Sequence, residues 1–363
     1  MPQRLLLAAL ACLLGLSGRA RESDAAAPAD LGYVAKPEPR GETEPSGAAG
    51  DTYDDPAVWV HPTDPALSLV IGSNKKGGLH VFDLAGRQLG VASPTACPNN
   101  VDVLPGFSIR GRRTDVAVAA CREKGKPCVR VWAIDPATRR LADVSGADGI
   151  PVFGGEVPYG SCTYHSPKTG KFYFFVNNKS GQYEQHVLGY TAAGAVTSAK
   201  VREFKVSSVA EGCVADPATG ALYVSEEDVG LWRFSAEEDG GAEGKLVAKV
   251  GEHGLTADCE GVTIYDAGGG KGYVVLSSQG NNTFKLYERD GANAFVGTIT
   301  PAAGKLGTVS ETDGVAATGR PLGPKFPHGM LVVQDGTRRP DGQRFKFYAW
   351  EDVAGAQLRV AGK

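Results

Sequence analysis

Strong net charge and long amphipathic segments are both missing from this sequence of 363 residues. The formal net charge is only -3 at pH 7, and no basic stretch with interleaved aromatic residues occurs. This balance argues against nucleic acid and membrane partners. No long segment keeps an apolar period of 3.6 residues, and Gly and Pro are frequent, so we expect an all-β chain with little helix.

Several familiar catalytic and metal-binding motifs are absent as well. The sequence has no Arg-His-Gly-x-Arg motif, no Cys-x5-Arg loop, no P-loop and no Gly-x-Ser-x-Gly elbow. These absences exclude the corresponding phosphatase and serine hydrolase mechanisms. No EF-hand loop and no CxxC spacing of a zinc or redox site occurs either. His61, His165 and His328 stand at strand ends or turns, where we expect structural roles.

The first 20 residues form a separate unit, which we interpret as a secretory signal peptide. Arg4 precedes the apolar run Leu5–Leu16, and small residues suited to cleavage follow up to Ala20. The apolar run is too short to span a bilayer as a helix. Cys12 allows a lipoprotein signal as an alternative, but its preceding residues fit that motif poorly. We therefore expect a secreted or periplasmic protein.

Six cysteines follow the signal peptide, and an even number in an oxidising compartment favours disulfides. They are Cys97, Cys121, Cys128, Cys162, Cys213 and Cys259. Cys121 and Cys128 flank a turn and are candidates to pair across it. The remaining connectivity stays open.

A short pattern returns six times along the chain: a polar residue opens a β-rich run, a Gly/Pro turn follows, and a second apolar run closes on another polar residue. The opening residues are Asp55, Asn100, Tyr159, Glu211, Glu260 and Asp313, and the closing residues are Lys76, Arg122, Lys179, Glu227, Gln279 and Asp335. The period of about 50 residues is typical of propeller blades and not of helical solenoids. We therefore predict a six-bladed β-propeller. Its first strands line the central channel, so the polar positions converge on one mouth.

The repeat also divides the chain. Residues 1–20 are the signal peptide, and residues 21–50, rich in Ala, Pro, Gly and Glu, predict a partly flexible leader. The propeller domain is expected at residues 51–355 and a C-terminal tail at 356–363. Propellers usually close with strands from both chain ends, and Arg344–Trp350 is the C-terminal candidate.

The two halves of the repeat differ in chemistry. The first three copies supply Lys75 and Lys76, Arg122, Lys179 and the phenol of Tyr159, which suit a bound polyanion. The last three supply carboxylates and an amide, hard oxygen ligands that favour calcium over zinc. Each carboxylate alone could be an ordinary solvated turn residue. Their number around one mouth is repulsive unless cations are bound, which favours a metal site.

Several of these stretches resemble the β-propeller phytases, the calcium-dependent Bacillus-type family. The first motif, YDDPAVWVHPTDPALSLVIGSNKKGG at 53–78, is the most specific. The others are PNNVD at 98–102, YHSPKTGK at 164–171, EED at 226–228, DCEGVTIY at 258–265 and SSQG at 277–280. The resemblance covers roughly residues 50 to 352. It implies a six-bladed propeller with several Ca²⁺ ions that removes a phosphate from myo-inositol hexakisphosphate, with two neighbouring phosphate sites.

The resemblance also implies roles for single residues. Lys76, Arg122, Tyr159 and Lys179 would hold the phosphate being cleaved, with Glu211 beside it and near the attacking water. The calcium ligands nearest the substrate would be Asp55, Glu211, Glu227, Asp258, Glu260 and Gln279. Asp313 and Asp335 would belong to further calcium sites. The family's acidic turn is replaced by Gly304–Gly307, and Ser310–Gly314 continues to Ala316 without the next Asp, so one peripheral calcium site is expected to be altered or missing.

The resulting hypothesis is a monomeric, calcium-dependent 3-phytase that acts on calcium phytate by direct attack of a calcium-bridged water. Two alternatives remain open at this point. One is a calcium-dependent propeller lactonase, which has no use for the cations and Tyr159. The other is a non-catalytic propeller that binds a polyanion.

Overall fold

The computed structural model describes residues 30–363, and the predicted signal peptide lies outside them. Two short strands come first, β1 (Tyr33–Ala35) and β2 (Gly41–Glu42). Six consecutive sheets follow. Every strand pair in them is antiparallel except the parallel pairing of β1 with the outermost strand of the fifth sheet.

The first three blades contain four strands each, and the strands pair in chain order. Blade 1 consists of β3 (Tyr53–Trp59), β4 (Leu69–Asn74), β5 (Gly78–Phe82) and β6 (Gln88–Ala92). Blade 2 consists of β7 (Pro98–Ile109), β8 (Arg112–Cys121), β9 (Cys128–Asp135) and β10 (Arg140–Asp143). Blade 3 consists of β11 (Pro158–His165), β12 (Phe172–Asn178), β13 (Gln182–Tyr190) and β14 (Val196–Lys205).

The last three blades follow the same plan, and two of them take up an N-terminal strand. Blade 4 consists of β15 (Ala210–Asp216), β16 (Ala221–Glu226), β17 (Gly230–Ser235) and β18 (Lys245–Lys249). Blade 5 consists of β19 (Cys259–Gly268), β20 (Lys271–Ser278), β21 (Thr283–Glu288) and β22 (Phe295–Ile299), with β1 added beside β22. Blade 6 consists of β23 (Val315–Thr318), β24 (Met330–Asp335) and β25 (Arg344–Ala349), with β2 added beside β25.

The first strands of the blades form a closed ring. Each first strand contacts the first strand of the next blade, and β23 of blade 6 contacts β3 of blade 1. The prediction of an all-β, six-bladed propeller is therefore confirmed. The expected sharing of a blade by both chain ends is confirmed too, because β2 pairs with β25.

Helix is scarce in the described chain, as the missing 3.6-residue period predicts. It is limited to α1 (Trp350–Ala354) and the 3₁₀ turns Pro65–Leu67, Phe153–Gly155, Glu252–Gly254 and Gln279–Asn281. None of the helices within residues 30–363 is long and apolar enough to cross a membrane. The chain end packs on the ring: the Arg359 and Ala361 amides donate to the hydroxyls of Tyr273 and Tyr265.

The core lies between the blades. Six clusters of buried apolar side chains fill the six spaces between neighbouring sheets. Trp59 and Trp132, for example, pack between blades 1 and 2, and Trp350 packs between blades 5 and 6. Because each sheet is covered on both faces, its strands read as nearly continuous apolar runs.

The cysteines contribute to this packing as thiols. All six cysteines within residues 30–363 are free in the structure, so it shows none of the disulfides that the sequence favours. Cys121 and Cys128 do lie opposite each other on β8 and β9, as the turn between them suggests. Cys162 and Cys213 are buried in the cluster between blades 3 and 4.

Candidate active site

The opening residues of the repeat lie at β-bulges at one end of the first strands. In blades 1 to 5, two residues of the first strand oppose a single residue of the second strand at this point. The bulged pairs are Asp54–Asp55, Asn99–Asn100, Tyr159–Gly160, Glu211–Gly212 and Glu260–Gly261. Asp313 and Gly314 directly precede β23 at the same place in blade 6. A bulge bends the strand and turns its side chains, here toward the mouth of the ring.

Two of the glycines in these bulges are required by close contact between blades. A Cβ atom at Gly160 would collide with the carbonyl of Glu211, and one at Gly212 would collide with the carbonyl of Glu260. Each blade therefore presses its opening residue against the bulge of the preceding blade. Only glycine allows this approach.

Three carboxylates meet at the mouth. Glu211, Glu227 and Glu260 each offer one oxygen, and these oxygens all lie within 4.8 Å of one another. Burial raises the pKa of Glu260, and the neighbouring charges of Glu211 and Asp313 raise it further. Burial and the charge of Asp258 likewise raise the pKa of Glu227. The carboxylates thus repel one another, and a bound cation would relieve the repulsion.

A second acidic group surrounds Lys75. Its ammonium lies 2.9 Å from Asp51, 3.2 Å from Asp54 and 3.0 Å from Asp313. Burial lowers the pKa of Lys75, but these carboxylates outweigh that effect and the net pKa is raised. Asp313 also accepts a 2.7 Å hydrogen bond from Gln279. Burial and the charge of Asp54 raise the pKa of Asp313 to about 7.

Asp54 has the most unusual environment in this group. Its side chain is 1% exposed, and neither carboxylate oxygen accepts a hydrogen bond from any residue in 30–363. Burial raises its pKa, and the nearby charge of Glu211 adds to the effect. Glu260 Oε2 is another buried oxygen that no described residue bonds. Buried oxygens without donors are rare in native proteins, and a cation is one of the partners that explain them.

Tyr159 joins the acidic group to the cations of the first three blades. Burial raises the pKa of its phenol, and the charges of Glu211 and Glu260 raise it further, so the phenol stays protonated. The ammonium of Lys179 lies 4.2 Å from the centre of the Tyr159 ring, and the guanidinium of Arg122 lies 5.8 Å from it. Two cations and one hydroxyl thus lie beside the carboxylates at the mouth.

The Glu211 carboxylate is itself held in place. Asn99 Nδ2 donates a 2.5 Å hydrogen bond to Glu211 Oε1 and a 2.9 Å bond to Asn100 Oδ1. Asn99 is fully buried and belongs to blade 2, two blades before Glu211. Sequence reasoning missed Asn99, although it directly precedes the opening residue Asn100.

Other predicted residues are placed as follows. Asp55 is partly buried beside Asp54, and burial together with the charges of Asp54 and Glu211 raises its pKa. Asp258 lies close enough to Glu227 to influence its pKa. Lys76 is exposed, and its ammonium forms no ion pair within residues 30–363. Its neighbour Lys75 is the lysine that reaches the carboxylates.

Asp335 lies apart from this group. Its carboxylate contacts Arg339 at 2.8 Å and Lys346 at 3.3 Å, and accepts a 2.6 Å hydrogen bond from the Thr337 hydroxyl. Arg339 and Lys346 are thus the cations next to Asp335, and its role as a calcium ligand stays a prediction.

Adjacent polar residues explain why Lys75 and Asp54 were not selected from the sequence. Each belongs to a pair of identical residues: Asp54–Asp55 lies at a bulge of β3, where the side chains of a regular strand would alternate between its two sides, and Lys75–Lys76 lies in the turn after β4. The bulge at Asp54–Asp55 shifts that alternation by one residue. Spacing alone does not reveal such a shift.

The chain is similar to known proteins of one family. The family model described as Phytase matches residues 3–360. The chain is 43% identical to the 3-phytase of Bacillus subtilis (strain 168) over 319 residues, which is 86% of this chain and 83% of that protein.

Two solved propellers are also similar in shape. The β-propeller domain of Cps50 (Swd1) from Myceliophteria thermophila has a TM-score of 0.43 at 11% identity, covering 82% of this chain and 83% of that one. The Dos1 propeller has a TM-score of 0.40 at 13% identity, covering 82% of this chain and 68% of that one. TM-scores this low add nothing to the fold assignment, which follows from the sheets themselves.

Proposed function

The chain belongs to the phytase family, and from this premise we propose how its mouth removes phosphate from myo-inositol hexakisphosphate. The products are inorganic phosphate and inositol pentakisphosphate or lower phosphates. The enzyme is thus a phosphomonoester hydrolase of the 3-phytase type. The substrate is proposed to arrive as its calcium complex.

One observation carries the mechanism. Glu211, Glu227 and Glu260 converge at the mouth, and Tyr159, with Arg122 and Lys179 beside its ring, lies next to them. A phosphomonoester dianion repels an attacking nucleophile until its charge is neutralised. A site that pairs fixed cations with a cation-binding acidic cluster meets this requirement.

The acidic side fits calcium. Its donors are hard carboxylate and amide oxygens, and Asp54 and Glu260 offer buried oxygens that no described residue bonds. The proposed ligands are Asp54, Asp55, Glu211, Glu227, Asp258, Glu260, Gln279 and Asp313. When bound, calcium neutralises negative charge and lowers the pKa of nearby water.

The protein's own groups bind and orient the phosphate. The guanidinium of Arg122 and the ammonium of Lys179 offset charge on the phosphoryl oxygens. The protonated phenol of Tyr159 donates a hydrogen bond to one of these oxygens. The Glu211 carboxylate, fixed by Asn99, accepts a proton from the attacking water. We propose direct attack by water, which breaks the bond between phosphorus and the inositol oxygen. That oxygen takes up the proton from Glu211, and no side chain becomes phosphorylated.

Lys75 and Lys76 have different roles in this proposal. Lys75 lies among Asp51, Asp54 and Asp313 and offsets part of their negative charge. Lys76 is exposed at the rim, where it is suited to attract further phosphates of the substrate. We further propose a monomer that is exported by its N-terminal signal to the periplasm or the medium.

Phosphate release from calcium phytate, with and without chelator, tests the function directly. A lactone and a simple phosphomonoester serve as competing substrates, and Glu211→Gln is compared with the exposed control Glu203→Gln. We expect release that chelation abolishes, that Glu211→Gln lowers by about 100-fold, and that Glu203→Gln leaves unchanged. Lactone turnover without phosphate release would establish the lactonase alternative, and binding without any turnover would establish the polyanion-binding alternative.

A further inference from the structure

The residue opposite each bulge forms part of a second ring behind the mouth. In blades 1 to 5 this single residue lies on the second strand, directly across from the two bulged residues. Together with the residue of β24 that bonds the Asp313–Gly314 turn, the ring consists of Ser73, Ala120, Asn177, Ser225, Ser277 and Gln334. Five of its six members are polar, yet all six are fully buried.

Most of the polar members tie neighbouring blades together at their opening residues, whereas Ser73, within residues 30–363, bonds only Asp55 in its own blade. Ser225 Oγ bonds the carbonyl of Gly212 in its own blade and that of Glu260 in the next. Gln334 accepts from the Asp313 amide and donates to the carbonyl of Tyr53 in blade 1. Buried polar side chains with such paired bonds fix the relative positions of the strands they join.

Blade 2 shows that the connection is maintained even when the ring residue is apolar. The side chain of Ala120 cannot form a hydrogen bond, and the hydroxyl of Ser161 from blade 3 forms the bonds instead. Ser161 Oγ accepts a 3.1 Å hydrogen bond from the Ala120 amide and donates one of 3.4 Å to the Asn100 carbonyl. Blades 2 and 3 are thus joined by a side chain of blade 3 in place of one from blade 2.

Asn177 occupies the boundary between the two chemical halves of the mouth. Its Oδ1 accepts a 2.8 Å hydrogen bond from the amide of Gly160, the residue after Tyr159. Its Nδ2 donates 2.9 Å bonds to the carbonyl of Glu211 and to the hydroxyl of Tyr183. One amide group therefore links the backbone that carries the phenol to the backbone that carries the proton acceptor.

We propose that Asn177 is a positioning residue that sets the distance between Tyr159 and Glu211, and hence between the phosphate and the attacking water. This inference rests on the proposed function of these two side chains. Ser225 and Gln334 join acidic residues to one another, whereas Asn177 joins a phosphate-binding residue to a metal-binding one. Displacement of reacting groups by about 1 Å costs on the order of 100-fold in rate.

Three variants of the full chain test the proposal. Asn177→Ala removes all three bonds, and Asn177→Ser restores a hydroxyl, the group that blades 1, 4 and 5 use at this position. Thr263→Val is the matched control, because Thr263 Oγ1 accepts a 3.0 Å bond from Ala317 in the next blade, away from the bulges. Each variant is compared with the wild type for kcat and KM on calcium phytate, for calcium affinity by calorimetry, and for Tm.

We expect Asn177→Ala to lower kcat by about 10- to 100-fold with little change in KM, and to weaken calcium binding at Glu211. Asn177→Ser should recover part of both losses. Thr263→Val should lower Tm without changing kcat. The proposal is overturned if Asn177→Ala keeps kcat within about twofold, or if Thr263→Val lowers kcat as much.

A milder variant covers the case in which Asn177→Ala does not fold. Tyr183→Phe removes only the hydroxyl that accepts from Asn177 Nδ2, and it should lower kcat about 2- to 5-fold; no change would contradict the proposal. Calorimetry separates the positioning role of Asn177 from the proposed phytase function. If the wild type binds calcium but releases no phosphate, the proposed function fails, while the loss of calcium affinity in Asn177→Ala still measures whether Asn177 positions Glu211.

Discussion

The ammonium of Lys346 lies 3.3 Å from a carboxylate oxygen of Asp335, and neither side chain is exposed to solvent. The backbone carbonyls of Leu306, Gly307 and Thr308 accept further hydrogen bonds from Lys346, at 2.7, 2.8 and 2.7 Å. These carbonyls belong to the loop that lacks the acidic turn expected from the sequence. A lysine therefore supplies positive charge at a place where the resemblance implied a calcium ion.

Lys346→Met should destabilise the fold severely. It leaves three carbonyls without their ammonium donor and Arg339 as the remaining described cation beside the buried Asp335 carboxylate, and removing one partner of a buried ion pair costs about 3–5 kcal/mol. Urea unfolding measures the loss, with the exposed Lys305→Met in the neighbouring loop as control. The loss should be the same in calcium and in chelator. A loss that appears only in chelator would show that a metal, and not Lys346, holds this loop.

The fold was predictable because its signal is repeated six times. Each copy alternates strand and turn at a similar spacing. A strand that is ambiguous in one copy can therefore be assigned from the equivalent position in the others. The shared blade was predictable in outline, with β25 as its C-terminal strand. The strands β1 and β2 were not, since Tyr33–Ala35 and Gly41–Glu42 are too short and too rich in flanking Gly and Pro to be recognised.

The site was predictable in composition but not in register. Arg122, Tyr159, Glu211, Glu227 and Glu260 meet as the repeat implies. The choice between Asp54 and Asp55 depends on a bulge, which changes the side to which a side chain points without changing the spacing. The choice between Lys75 and Lys76 depends on the turn after β4. The ion pair between Asp335 and Lys346 was hidden for another reason, since the two residues lie on different strands, β24 and β25.

Lys75→Met and Lys76→Met should have different effects. Lys75 is the lysine that contacts Asp54 and Asp313, so its loss should increase repulsion at the acidic side and lower kcat by about 100-fold. Lys76 is exposed, and its loss should raise KM several-fold while changing kcat little. Steady-state kinetics on calcium phytate separates the two patterns. A larger loss of kcat in Lys76→Met would reverse the assignment made from the structure.

Asp216→Asn should weaken the junction of blades 4 and 5. Arg289 makes two hydrogen bonds of 2.6 and 2.8 Å to the fully buried Asp216 carboxylate. Burial alone would raise the pKa of Asp216, but Arg289 outweighs it and the pKa is lowered. We expect a loss of about 3 kcal/mol at pH 7, measured by urea unfolding. The exposed pair Lys126–Asp148 provides the control Asp148→Asn, which should leave the unfolding midpoint unchanged.

The pH dependence of that loss has a definite sign. Because the pKa of Asp216 is lower in the folded protein, the ionised carboxylate stabilises the fold above its unfolded pKa of about 3.9. The contribution disappears as the pH falls from there through the folded pKa. The difference between wild type and Asp216→Asn should therefore be constant from pH 5 to 8 and shrink below about pH 4. A difference that grows toward low pH would show that another group carries the effect.

Asp54→Asn should change stability in opposite directions with and without calcium. In chelator, the variant should have a higher Tm than the wild type, because the cost of burying the Asp54 charge near Glu211 outweighs its contact with Lys75, which keeps Asp51 and Asp313 as partners. In calcium, the Tm of the wild type should rise more than the Tm of Asp54→Asn. Each tenfold difference in calcium affinity corresponds to about 1.4 kcal/mol of stabilisation at saturating metal. Asp51→Asn, which also removes a partner of Lys75 but at an exposed position, should show neither effect. Equal calcium-induced shifts of Tm in Asp54→Asn and the wild type would exclude Asp54 as a ligand, and the orphaned oxygens would then require another partner.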